Sequence, residues 1–89
     1  MTYEVLLLPS AQRELDKLPA DAFQTADLDI RALRDNPRPH GVKKLEGILH
    51  RIRVGPWRII YAIQDTERRV IILRIARRSE RTYRRLPRF

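Results

Sequence analysis

Four arginines and one tyrosine in the second half of the chain have the types and the spacing to hold an anion. Arg51 and Arg53 stand two residues apart in Leu49-His-Arg-Ile-Arg-Val54, and Arg58 follows in Trp57-Arg-Ile-Ile-Tyr61. Arg78 comes soon after the apolar run Val70–Ile75, and Tyr83 lies five residues beyond it. The two-residue spacing sends Arg51 and Arg53 out of one face of a strand, with Ile52 and Val54 on the other. Gly55-Pro56 reads as a tight turn, which brings Arg53 and Arg58 onto neighbouring strands within reach of one phosphate-sized group. Guanidinium forks grip such a group through two parallel hydrogen bonds, and they also stack on flat rings. Cations crowded on one sheet face repel one another, an arrangement that makes sense where an anion neutralises them. Taken singly, each arginine also reads as a solvated edge residue, and Tyr83 as an aromatic packed on the sheet.

The charge distribution points the same way. The 89 residues carry a net charge of +8. Residues 1–45 hold seven basic and seven acidic side chains, which cancel. Residues 46–89 hold twelve arginines against four acids (Glu46, Asp65, Glu67 and Glu80), a difference equal to the whole excess. Lysine occurs only at Lys17, Lys43 and Lys44, so the bias is towards the fork rather than towards positive charge in general. A nucleic acid or an acidic protein is the expected partner, with a merely solvated basic face as the alternative.

Other chemistries fail for lack of parts. Without cysteine there is no disulfide scaffold, thiolate metal site or thiol nucleophile. His40 and His50 are the only histidines and make no metal-ligand spacing. Three isolated glycines cannot build a phosphate-cradling loop, and no serine or threonine has a His–Asp grouping near it in sequence. The expectation is therefore a site with no cofactor and no metal. No apolar run approaches the roughly 18 residues of a membrane span, and Met1–Pro9 has no leader-like pattern, so a soluble cytoplasmic protein is expected.

The positioning elements follow from periodicity. Tyr3–Leu8 predicts a strand buried on both faces. Ser10 is the expected N-cap of a helix carrying Ala11, Leu15 and Leu18 and stopped by Pro19. Asp21 is expected to cap a second helix with the stripe Phe23, Ala26, Ile30 and Leu33, which Leu28 does not join. Asn36–Gly41 is a loop, after which the period drops from 3.6 to 2. Strands are predicted over Leu49–Val54, Trp57–Ile63 and Arg69–Ile75, with a turn at Asp65–Arg68. The sum is a single α+β domain over residues 1–89: two N-terminal helices on one face of a small, largely antiparallel four-stranded sheet, and arginines emerging from the other face.

Lys44-Leu-Glu-Gly47, His50-Arg-Ile-Arg-Val-Gly-Pro-Trp-Arg-Ile-Ile-Tyr61, Val70–Ile75 and the stretch from Arg78 to Tyr83 together resemble the RelE/ParE superfamily of bacterial and archaeal toxins. Ala11-x-x-x-Leu15-x-x-Leu18-Pro19 extends the likeness to nearly the whole chain. The resemblance implies a RelE-like fold and the toxin half of a type II toxin–antitoxin pair, with a cognate acidic antitoxin as partner. For the RelE-like branch it implies a metal-free endoribonuclease that cuts mRNA in the ribosomal A site. By position, Arg51, Arg53, Arg58, Arg78 and Tyr83 match residues of that site. Several RelE-like toxins carry lysine where this chain has Arg51 and Arg53. Arginine does not give up its proton in proteins, so the identity of the general base stays open, with Tyr83 as the candidate. Alternation turns His50 to the opposite face. Two other readings stand beside this one: a ParE-like gyrase inhibitor that cuts nothing, and a non-catalytic nucleic-acid-binding module served by the arginine-rich tail 81–88.

Overall fold

Prolines set the start of both helices. A computed structural model describes residues 2–77, so Arg78 and Tyr83 lie outside the described residues. Helix α1 (Pro9–Asp16) opens on Pro9 itself, whose fixed φ and missing N–H cost nothing in a first turn. Leu8, in an extended conformation, occupies the N-cap position, so Ser10 is already inside the helix and does not cap it. Pro19 likewise precedes α2 (Ala20–Ala32), and Asp21 falls in the first turn rather than at the cap. There its carboxylate suits the positive end of the helix dipole. Of the predicted stripes, Ala11 and Leu15 of α1, Ala26 and Ile30 of α2, and Leu18 and Leu33 just past the two helix ends are buried, while Phe23 is half-buried against the same core. Leu28, off the stripe, is 67% exposed.

The sheet departs from the expectation of four strands. It has five, β1 (Glu4–Leu7), β2 (Lys43–Glu46), β3 (Leu49–Val54), β4 (Trp57–Gln64) and β5 (Arg69–Arg77), in the order β1-β5-β4-β3-β2. It is mixed, because β1 runs parallel to β5 while the other three pairings are antiparallel. The long connection that parallel partners require runs here through both helices and then β2, β3 and β4. The added strand, β2, is short and polar and carries no alternation to reveal it. As an edge strand β1 has one neighbour, so it is not buried on both faces, and Leu6 is 43% exposed.

The β3–β4 register is unbroken from Leu49↔Ala62 to Val54↔Trp57, so cross-strand partners share a face. Ile52, Val54, Ile59, Tyr61 and Ile63 join Val70, Ile72 and Ile75 beneath the helix stripes in one core. Ile60, Ala62 and Leu73 form a second, smaller cluster, packed by Leu8, Leu45, Ile48, Leu49 and Ile71. Each fully buried Ile or Leu contributes about 1.5–3 kcal/mol. Gly55 has φ 58°, the positive value that a two-residue hairpin turn needs at its first position.

The proline-rich loop is tied down at two points, Pro37 and Arg38. The Tyr61 hydroxyl donates to the Pro37 carbonyl at 2.8 Å. Arg38 makes a two-pronged pair with Asp65 at 3.2 and 2.9 Å, and the Tyr3 hydroxyl donates to the same carboxylate at 2.6 Å. Hydrogen bonds from Arg38 and then Tyr3 hold the Asp65 pKa down to about 2. Burial pushes the Tyr61 phenol up to about 12, so it stays a donor.

Candidate anion-binding face

Hydrogen-bond parity along the hairpin fixes how its arginines meet. Ile63 N–H donates to the Ile48 carbonyl at 2.9 Å. In an antiparallel ladder, bonded and non-bonded pairs alternate. The continuous register therefore makes Ile52/Ile59 and Val54/Trp57 bonded pairs, and Arg53/Arg58 a non-bonded one. Non-bonded partners lie closest, with Cα atoms about 4.5 Å apart. The face opposite the helices thus carries Arg53 beside Arg58 in one row, and Arg51 beside Ile60 in the next.

These arginines do not all emerge from the sheet. Arg53 is exposed, but Arg51 and Arg58 are each only 6% exposed. The reason lies in the strand order: β4 has neighbours on both sides, and six of its eight residues are buried. Arg58 faces Arg53 on one side and Ala76 on the other, with no acid in its row. Its side chain makes no hydrogen bond or ion pair with the described residues. Burying a cation away from a counter-charge is costly, and a neighbouring cation adds to that cost. The Arg53–Arg58 pair places two guanidinium forks on neighbouring strands of one face, a geometry able to grip an anion through parallel hydrogen bonds.

A family model described as "ParE toxin of type II toxin-antitoxin system, parDE" matches residues 5–82 of this sequence. The chain belongs to this toxin family. The toxin is 40% identical to "Toxin RelE" of Mycobacterium tuberculosis (strain ATCC 25618 / H37Rv), across 86% of this chain and 82% of that one. Among solved structures it is similar to the archaeal RelE–RelB complex from Pyrococcus horikoshii OT3, with TM-score 0.81 and 29% identity over 90% of this chain and 99% of that one. The RelBE2 toxin–antitoxin complex of M. tuberculosis matches with TM-score 0.75 and 28% identity, over 88% of this chain and 100% of that one. The expected RelE-like α+β fold is thus present, with the five-stranded sheet described above.

The toxin has a further cation that sequence reasoning missed. Arg74 pairs with Ile60, which places it on the same face as Arg51. A lone arginine inside Val70–Ile75 was the signal available for it. Beyond Ile72, β5 has no β1 partner, and Glu14 of α1 takes over that edge. Its carboxylate accepts from the Ile75 N–H at 3.0 Å and from Arg74 at 3.2 Å. Trp57 and Tyr61 lie on the helix side. Tyr61 is fully buried, while Trp57 is half-buried with the Arg77 guanidinium 4.9 Å from its ring centroid. His50 is also on that side, stacked on Tyr61 with ring centroids 5.9 Å apart.

Among the described residues, no group of three or more His, Asp or Glu side chains is placed to hold a metal, and no helix is long and apolar enough to cross a membrane. A cavity of about 410 Å³ adjoins Arg51 and Arg53. A larger groove of about 1050 Å³, between α1, α2 and β1, contains none of the site arginines.

Proposed function

We propose that the toxin is a metal-free, ribosome-dependent mRNA endoribonuclease. The observation that carries this reading is Arg58, a buried cation directly opposite a second cation and with no acid beside it among the described residues. In the reaction the ribose 2′-oxygen attacks the adjacent phosphorus while the bond from phosphorus to the 5′-oxygen breaks, leaving a 2′,3′-cyclic phosphate and a 5′-hydroxyl. Arg58 and Arg53 hold the non-bridging oxygens, on which charge builds in the transition state. Arg51 adds positive potential beneath them. Tyr83, as a phenolate favoured by the surrounding cations, takes the 2′-hydroxyl proton; Arg78 stabilises the negative charge on the departing 5′-oxygen or the neighbouring phosphate, and that oxygen takes its proton from water.

The relatives solved as RelE–RelB complexes support a cognate antitoxin as partner. Acidic side chains on it would neutralise part of the +8 in the resting state. The test is a translation extract supplied with purified protein, with message ends mapped by primer extension. Cuts within codons that disappear with Arg58→Ala support the nuclease. Intact message, with DNA damage in treated cells, would establish a gyrase-directed toxin instead.

A further inference from the structure

Strand β2 stops pairing with β3 at Lys43↔Arg51, although β3 continues to Val54. Two features turn the preceding chain away. Gly41 has φ 86°, and the Val42 N–H is used by the Pro39 carbonyl at 3.1 Å. Hydrogen-bond parity aims the main chain of Arg53 away from β4 and towards this gap. The gap is the 410 Å³ cavity, closed by His40 and Gly41 on the loop side and by Asp29 and Ala32 of α2 on the helix side.

Each part of the lining bears on what fits. The volume lies in the range of small-ligand sites and admits one nucleotide. The Arg53 main chain offers a donor and an acceptor on one edge, the complement of a planar amide-like ring edge. His40 supplies a ring for stacking. Asp29 repels a phosphate and accepts hydrogen bonds, so it selects a ring with an amino group at its edge. Arg53 is shared: its main chain borders the cavity, and its side chain stands beside Arg58.

We propose that this cavity is a nucleobase subsite for single-stranded RNA, with Asp29 accepting from the exocyclic amine of adenine, cytosine or guanine and discriminating against uracil. The subsite rests on the nuclease reading, because the phosphate next to the seated base is the one held by Arg53 and Arg58. It makes Asp29 a specificity residue rather than a catalytic one.

The test is fluorescence-anisotropy titration of the full chain with 2′-O-methyl oligocytidylate and oligouridylate of equal length, which cannot be cleaved. Cytosine and uracil have rings of the same size and differ at this edge by the amine. The wild type is expected to bind the cytidine oligomer about tenfold more tightly, within the range of one good base contact. Asp29→Asn, whose amide donates as well as accepts, is expected to bring the ratio close to one while leaving the salt dependence unchanged. Equal affinity for the two oligomers in the wild type, or an undiminished ratio in Asp29→Asn, overturns the subsite. Arg58→Ala separates the two ideas: if it weakens both oligomers equally, the phosphate reading stands even where the subsite fails. If it weakens neither, the phosphate reading falls as well.

Discussion

Arg58 lies directly opposite Arg53 on the β3–β4 hairpin, and of the two only Arg53 is exposed. A buried cation beside another cation is a local cost to folding that function must justify. Arg58→Met keeps most of the volume and removes the charge. We expect it to raise the unfolding free energy by about 1–4 kcal/mol, as replacement of buried ionic groups often does. The same change should lower the rate of message cleavage by about 10²–10³, the usual loss for one oxyanion donor. Urea melts and cleavage rates measured on one preparation check both; a destabilised variant that still cleaves contradicts the assignment.

Binding of single-stranded RNA should weaken with salt. If about four arginines engage phosphates, log K plotted against log salt has a slope near −2.8. A flat response would mean that recognition is apolar.

The hairpin was legible in the sequence because Arg51–Val54 alternates and Gly55-Pro56 favours a turn. Side-chain period also gave the shared face of Arg51 and Arg53 and the opposite face of His50. Depth was not legible, since burial of Arg58 depends on β5 flanking β4, a contact between distant segments. Strand β2 was missed because Lys43-Lys-Leu-Glu46 has neither β-branched residues nor alternation, and its pairing comes from β3. The parallel pairing of β1 left no local trace, for the same reason. Arg74 and Asp29 joined the site only once strand register and the path of the 39–41 loop were known.

His50 makes stability depend on pH. Burial, outweighing the hydrogen-bonding contact of its Nδ1 with the Ile48 carbonyl, lowers its pKa below the ordinary 6.5. The unfolded chain therefore binds this proton more readily than the folded one. Stability from this group is complete above about pH 6.5 and declines as the pH falls from there towards the folded pKa. Asp65, held at about 2 against an ordinary 3.8, contributes only at the acid end, where its share is lost below 3.8. The Tm should fall between pH 7 and 5, and His50→Gln should flatten that limb. An unchanged slope in the variant would assign the effect to other groups.

Glu14 seals the β5 edge where β1 ends. Glu14→Ala removes an ionised acceptor from the Ile75 amide and should cost about 1.5–3 kcal/mol of stability. Glu14→Gln, which can still accept from that amide, should lose less. Chemical denaturation of the three proteins decides it, and equal losses for both variants would show that only the charge on Arg74 matters.

The most direct test of the anion site is a crystal structure of the protein with a short 2′-O-methyl oligoribonucleotide. Our account predicts one backbone phosphate within about 3 Å of guanidinium nitrogens from both Arg53 and Arg58. An oligonucleotide bound with no phosphate at either residue would contradict it.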